Sequence, residues 1–302
     1  MNLVPQAPID AVIARVRKVY KGWSKDTNTG QMRRDWDRLF ASSSFTASIE
    51  PVLHGGISAE WVAAPEARRD KAVLYLHGGG FRVGSPRSHR ELMAGLSQAA
   101  GCRVLGLDYS LAPGYRYPVA LNETSAAIDT LLAQGLAPGD IALAGDSAGA
   151  GLALSTLLQR RDAGKALPAA AVLMSAWTDL TASGESYESR AKADPIHQKP
   201  MILSMARGYL GKEGAKSTDP LVSPLLAELH GLPPLLMQVG DRETVLSDTT
   251  AFADKARAAG VAVELEVYEG MIHVFQQFPA ELNEARLARQ SMGRFLKAHL
   301  QL

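Results

Sequence analysis

The sequence predicts an α/β protein: a mostly parallel central sheet with helices on both faces and a helical cap. From about residue 70 onward, short apolar runs alternate with helical stretches, which is the order that parallel strands and their crossover helices produce. Two further apolar runs flank the turn at Gly55-Gly56 and predict an antiparallel hairpin ahead of this alternation. Ligands bind beyond the carboxyl ends of the strands in such sheets, so motifs at these ends are candidates for function.

Each element follows from its hydrophobic period. The predicted strands share a short apolar or alternating pattern and cover residues 47–53, 57–63, 72–76, 103–107, 141–144, 170–174, 235–239 and 263–268. The predicted helices between and after them cover residues 88–100, 119–134, 149–164, 246–259 and 280–300.

Two segments do not fit the alternation. Residues 9–23 and 32–40 form amphipathic helical patterns before the first strand; they predict an N-terminal cap over residues 1–45, although a plain packing element also fits. The interval between Trp177 and Leu232 is too long for one crossover and predicts a second cap segment at about residues 180–215. Residues 46–302 then form the catalytic domain that carries this insertion.

Composition argues against several classes of partner. The 302 residues contain 32 Lys plus Arg and 31 Asp plus Glu, for a net charge of +1, so neither nucleic acid nor a membrane surface is an expected partner. The N-terminus lacks the pattern of a secretory signal, and we expect a cytoplasmic protein. Cys102 is the only cysteine; it lies in a predicted core strand, and we expect a buried, inert thiol. No metal or other cofactor is predicted.

The candidate nucleophile is Ser147, in Gly145-Asp146-Ser147-Ala148-Gly149. The motif follows an apolar strand and precedes a helix, which is the context of a nucleophile elbow. Small residues around the serine permit a sharp turn that exposes its hydroxyl. The N-terminal amides of the following helix favour negative charge near it.

A second glycine-rich segment, His77-Gly78-Gly79-Gly80, also follows an apolar strand. The amides of Gly79 and Gly80, with that of Ala148, are predicted to form an oxyanion hole. A phosphate-binding loop is the alternative, but the Lys-Ser/Thr ending of such loops is missing. We expect His77 to shape the loop and not to act as a base.

His273 is the candidate general base, since among the seven histidines it alone follows both the serine and a predicted strand. His197, in the second cap segment, and His230 and His299 are expected to be surface or packing residues. The acid that orients the base must lie between Ser147 and His273 in the chain. Asp248 lies on a predicted helix, where a structural role is expected, which leaves Asp241 and Glu243 as open alternatives.

With these motifs in place, the chain resembles the hormone-sensitive-lipase-like esterases, bacterial family IV of the α/β-hydrolase fold. The resemblance covers nearly all the chain from about Ala47. It depends on six segments in order, at residues 77–81, 108–113, 145–149, 175–180, 219–224 and 270–275. It implies an active site covered by an N-terminal cap and an insertion.

The resemblance also implies which carboxylate is the acid. The family places it 30 residues before the histidine, which is Glu243 in this chain, with Asp241 second. Most relatives carry Asp at that position, so glutamate is a departure known in one branch.

The predicted function is therefore hydrolysis of short- to medium-chain carboxylic esters through Ser147, His273 and Glu243, with a small-molecule ester as the partner. A lactone hydrolase with the same three residues is the alternative. A ligand-binding receptor on the same fold and a transacylase are further readings; the intact serine, acid and histidine argue against the receptor. A homodimer stays open.

Overall fold

The computed structural model describes residues 8–41, 45–212 and 214–302. The strands are β1 (Ser48–His54), β2 (Ile57–Ala63), β3 (Arg68–Leu76), β4 (Cys102–Leu107), β5 (Ile141–Asp146), β6 (Ala170–Met174), β7 (Leu235–Gly240) and β8 (Val263–Tyr268). The α-helices described are α1 (Pro8–Lys21), α2 (Thr29–Leu39), α3 (Arg90–Ala100), α4 (Val119–Ala133), α5 (Ala148–Asp162), α6 (Ser186–Ser189), α7 (Lys199–Leu210), α8 (Leu246–Ala258) and α9 (Asn283–Leu300).

The strands form one sheet in the order β1-β2-β4-β3-β5-β6-β7-β8. β1 pairs with β2, and β2 with β4, in antiparallel fashion, whereas all later neighbours are parallel. The predicted fold class is confirmed, including the hairpin at its start. Because β3 and β5 are adjacent and central, their carboxyl ends bring the two glycine-rich motifs together.

Both faces of the central strands are buried. In β3, Leu74 and Leu76 face one apolar cluster with α4, α5 and α8, whereas Val73 and Tyr75 face the other with α3 and α9. Strands covered on both faces need apolar residues at every position, which explains the uninterrupted apolar runs at residues 72–76 of β3 and 141–144 of β5. Cys102 is fully buried, and burial raises the pKa of its thiol to about 12, as expected of an inert residue.

The two segments outside the alternation meet above the carboxyl edge. Val12 and Val16 of α1 pack into the cluster with α3 and α9, while Trp36 of α2 contacts Val83 beyond β3. Helix α7 joins the opposite cluster through Tyr209. The division at residue 45 stays a prediction, and residues 1–7, 42–44 and 213 of these segments lie outside the described residues.

No helix within the described ranges is long and apolar enough to cross a membrane. The same ranges contain no group of three or more His, Cys, Asp or Glu side chains placed to hold a metal ion.

Candidate active site

Ser147 occupies the sharp turn between β5 and α5. Its backbone has φ 53° and ψ −119°, a region that costs a non-glycine residue about 1–3 kcal/mol and persists only where the surroundings enforce it. Two backbone hydrogen bonds enforce it here: the Ser147 amide donates to the Met174 carbonyl at 2.8 Å, and the Trp177 amide donates to the Ser147 carbonyl at 3.2 Å. The predicted elbow is therefore present, and hydrogen bonds to β6 and to the segment after it hold its backbone in place.

The turn also depends on a close approach at Gly149. A Cβ atom at this position would lie 2.0 Å from the carbonyl oxygen of Leu76, the last residue of β3. Since the obstacle is backbone, no side-chain rotation can relieve it. The glycine lets α5 start directly against the end of β3.

Replacing Gly149 by alanine is expected to destabilise the fold and to displace the elbow. The overlap must be relieved by moving backbone in the core, and overpacking of this kind costs about 1–3 kcal/mol or more. Chemical denaturation measures the loss. Gly139→Ala is the reference case, since a Cβ there would meet nothing within 4 Å and the backbone has no left-handed φ; an equal loss in both variants would contradict the steric account of Gly149.

His273 lies in the loop after β8 and meets the serine directly. Its Nε2 atom is 2.8 Å from Ser147 Oγ, and its Nδ1 atom is 2.7 Å from Glu243 Oε2. Both distances are those of good hydrogen bonds. The structure thus joins the three residues that the sequence singled out into one chain of hydrogen bonds.

Of the three candidate carboxylates, only Glu243 reaches His273. The Asp241 carboxylate instead accepts from the amide of Gly270, in the loop after β8, at 2.7 Å. The Asp248 carboxylate accepts from the amides of Thr178 and Asp179 at 3.1 and 2.9 Å, a structural contact like the one expected for it. The geometry therefore agrees with the position that the resemblance implied.

Glu243 is itself held by two donors to its other oxygen. The Gly240 amide donates to Oε1 at 2.6 Å and the Ser175 hydroxyl donates at 2.8 Å. Ser175 Oγ also accepts from the Val274 amide at 3.0 Å, so it links the acid to the residue after His273. The sequence alone predicts no role for Ser175, although this residue begins one of the segments that carry the resemblance.

The surroundings of His273 raise the pKa of its imidazole. Burial by itself lowers the pKa of the imidazole, but the charge of Glu243 and its hydrogen bond outweigh burial, and the pKa of His273 lies above its usual value. A raised pKa makes the ring a better proton acceptor. The carboxylate can stabilise the imidazolium that forms when the serine gives up its proton.

The glycine-rich loop faces the serine. In the part of the chain that the structure describes, the amides of Gly79, Gly80 and Ala148 donate to no protein oxygen, so they remain available to a ligand. Gly80 has φ +62°, and a Cβ there would lie 2.2 Å from Met205 Sδ of α7. The loop therefore passes tightly beneath that helix.

A buried network supports this loop. Asp146 Oδ1 accepts from the Gly78 amide at 2.9 Å and from the Tyr75 hydroxyl at 2.7 Å. The His77 ring stacks on Tyr109 with centroids 4.3 Å apart, and burial, with the nearby His89, lowers the pKa of His77 to about 3. A neutral, stacked His77 shapes the loop, in line with the expectation from sequence.

A cavity of about 220 Å³ opens onto Ser147 and His273. Most of its wall is apolar and is contributed by the N-terminal segment that holds α1 and α2, by α7 with the residues before it, and by the segment after His273. The aromatic and methionine side chains in this wall are Tyr20, Trp23, Met32, Trp36, Phe40, Met201, Met205 and Phe278.

His197 also lies at this site, although only a surface or packing position is predicted for it from the sequence. It is 7% exposed, and its ring lies edge-on to His273 with centroids 4.4 Å apart. The surface alternative for His197 was wrong, because the segment before α7 folds down against the site. His230, in contrast, is exposed, and His299 packs on Phe295.

Comparison with known proteins shows the family to which the chain belongs. A family model described as alpha/beta hydrolase fold matches residues 73–277. The chain belongs to this family. It is 43% identical over 246 residues to an acetyl-hydrolase of Streptomyces hygroscopicus, which covers 82% of this chain and 81% of that protein. It is 36% identical over 258 residues to an esterase of Acinetobacter venetianus, covering 85% and 84% of the two chains.

Solved structures show which group of esterases within this fold family the chain resembles. A crystal structure of an esterase from the bacterial hormone-sensitive lipase family matches with a TM-score of 0.93 and 43% identity, over 99% of this chain and 100% of that one. The resemblance stated from the motifs is thereby confirmed. The chain is a hormone-sensitive-lipase-like enzyme of the serine carboxylesterase class.

Proposed function

We propose that this enzyme hydrolyses short- to medium-chain carboxylic esters, with Ser147 as nucleophile, His273 as general base and acid, and Glu243 as the orienting carboxylate. The observation that carries the proposal is the unbroken hydrogen-bond chain from Glu243 Oε2 through His273 to Ser147 Oγ. Ser147 and His273 line a cavity, where an ester can reach the serine hydroxyl.

In the first step, His273 Nε2 takes the hydroxyl proton while Ser147 Oγ forms a bond to the ester carbonyl carbon. The carbonyl π electrons move to its oxygen, which becomes an oxyanion. When the tetrahedral intermediate collapses, the bond to the alcohol oxygen breaks. His273 gives its proton to that oxygen, and the acyl group stays on Ser147.

The amides of Gly79, Gly80 and Ala148 are the proposed donors to the oxyanion. They project from a loop fixed by Asp146 and from the N-terminus of α5, so they need no rearrangement as the charge develops. Fixed donors of this kind stabilise the transition state more than the ground state.

Water completes the cycle through the same histidine. His273 removes a proton from water, the hydroxide oxygen attacks the acyl carbon, and the Ser147 Oγ bond to that carbon breaks. His273 then returns its proton to the serine, releasing the carboxylic acid. No step requires a metal or other cofactor.

The size and lining of the cavity support small acyl groups. It holds about 220 Å³ between the core and the aromatic side chains of α1 and α2, which leaves little room for a long extended chain. The name of the similar acetyl-hydrolase also refers to a small acyl group.

A graded series of p-nitrophenyl esters, from acetate to palmitate, tests the substrate class. We expect kcat/KM to be highest among acetate, butyrate and hexanoate and to fall by at least about 100-fold at palmitate, because the long chain loses contacts and must leave the pocket. A maximum at palmitate would contradict the proposal. Including γ- and δ-lactones of matched carbon number tests the alternative: a lactone turned over faster than every open-chain ester would make this a lactone hydrolase.

A further inference from the structure

His197 packs directly on the proposed general base. Its ring is T-shaped to that of His273, with centroids 4.4 Å apart and planes at 69°. It also meets Tyr20 of α1 edge-on, with centroids 6.1 Å apart. The ring thus lies where the N-terminal helices, the segment before α7 and the loop of His273 converge.

Asp194 fixes this segment to the loop of the proposed acid. Its Oδ1 atom accepts from the amides of Ile196 and His197, both at 2.8 Å. Its Oδ2 atom accepts from the Thr244 amide at 2.9 Å and from the Thr244 hydroxyl at 3.1 Å. Because Thr244 directly follows Glu243, the position of His197 is set relative to the acid as well as to the base.

The ring of His197 is neutral. Burial, more than any other influence, and then the nearby His273 lower the pKa of His197 to about 3, against the opposing charge of Asp194. Two arginines donate to backbone carbonyls of the same segment: Arg17 to Pro195 and Arg242 to Ala193. His197 therefore adds no positive charge beside His273 when the latter takes a proton.

A histidine is a costly choice for a packing position. His197 Nδ1 is buried, and no atom of the described residues pairs with it. An unpaired buried nitrogen lowers stability relative to an apolar group of the same size. An apolar side chain of similar size can therefore replace it without losing a hydrogen bond.

We propose that His197 is a positioning residue, whose ring covers the open side of His273, excludes water from the Glu243–His273 pair and holds the imidazole against Ser147. This inference rests on the proposed function, since it concerns the base of that reaction. Titratable groups around the pair are Asp194, Tyr20 and Asp146, each on a different element.

The test is the pH dependence of kcat and kcat/KM for His197→Ala, His197→Leu and His197→Phe with a short acyl ester. Activity requires neutral His273, so it falls as the pH drops through the pKa of that residue. In His197→Ala, water reaches the ring; since burial is the largest influence lowering the pKa of His273, we expect the acid limb to move up by about half a unit. We expect kcat at the plateau to fall by about 10-fold or more, because the base is less well placed.

The leucine and phenylalanine variants test whether another large apolar side chain covers His273 as well as the imidazole does. Both keep an apolar cover, so their acid limbs are expected to stay within about 0.2 units of the parent. Met201→Ala, which enlarges the same cavity, is expected to raise KM and leave the limb in place. An unmoved limb and plateau in His197→Ala would overturn the inference, as would equal shifts in all three His197 variants.

Failure of this inference is distinguishable from failure of the proposed function. If Ser147→Ala is inactive and the His197→Ala limb does not move, only the role of His197 is lost. If Ser147→Ala keeps its ester hydrolysis, the proposed function itself is wrong.

Discussion

Replacing Ser147 by alanine is expected to lower kcat for ester hydrolysis by at least about 10⁴-fold, because no other group can form the acyl intermediate. The hydroxyl is the only serine oxygen within hydrogen-bond distance of His273 Nε2 among the described residues. Alanine is smaller than serine, so the turn with φ 53° keeps its surroundings. Residual activity would come from the oxyanion amides and from binding alone.

The measurement is steady-state hydrolysis of p-nitrophenyl butyrate, with protein freed of contaminating esterases. Ser155→Ala, on the same helix α5 and buried, is a matched control that removes a serine hydroxyl away from His273. It is expected to keep activity within about threefold, as buried hydroxyl losses affect stability first. A Ser147→Ala protein with more than a small fraction of parental kcat would refute the nucleophile assignment.

Replacing Glu243 by glutamine is expected to lower kcat by about 10³–10⁴-fold. The carboxylate accepts from His273 Nδ1 and so leaves Nε2 free to accept the serine proton. The two donors on its other oxygen, Gly240 N and Ser175 Oγ, would fix the amide with its oxygen towards them. The amide nitrogen then faces His273 as a donor, which favours the tautomer that cannot accept from Ser147.

Asp241→Asn provides the matched control for this prediction. Asp241 accepts only from the Gly270 amide among the described residues, and an asparagine oxygen can keep that bond. Its kcat is expected to stay within about threefold of the parent, with at most a modest loss of stability. If Asp241→Asn proved the more damaging change, the role of orienting acid would move to Asp241.

Local sequence patterns predict much of the fold. The strands at residues 57–63, 170–174 and 263–268 were predicted to the residue, because a period of two or a short apolar run bounded by turn residues has few other structural solutions. Helix starts were less well placed. The predicted helix at residue 88 begins at Arg90, since residues 86–89 form a 3-10 turn capped by Ser85.

The site was predictable where its chemistry imposes chain order. Ser147 stands in a small-residue motif between a strand and a helix, and His273 follows a later strand, so motif and chain order together predict them. The choice between Asp241 and Glu243 was beyond local reasoning: both follow β7, and which of them turns inward depends on the donors Gly240 N and Ser175 Oγ. The second of these contacts joins residues 68 positions apart in the chain.

His197 shows the limit most clearly. Its neighbours in sequence carry no motif, and the fold of the segment before α7 is set by Asp194 binding Thr244, 50 residues later. A long-range contact between two irregular segments leaves no periodic signal. The same holds for the cavity wall, which α1, α2 and the segment around α7 build together.

The central claim, that Ser147 is the nucleophile activated by His273 and Glu243, is tested most directly by covalent labelling. The protein is incubated with a fluorophosphonate, digested and analysed by mass spectrometry, alongside Ser147→Ala and Glu243→Gln. We expect stoichiometric phosphonylation on the peptide containing Ser147, at least about 100-fold slower labelling in Glu243→Gln, and none in Ser147→Ala. An adduct on any other residue, or labelling of Ser147 at an unchanged rate in Glu243→Gln, would contradict the account.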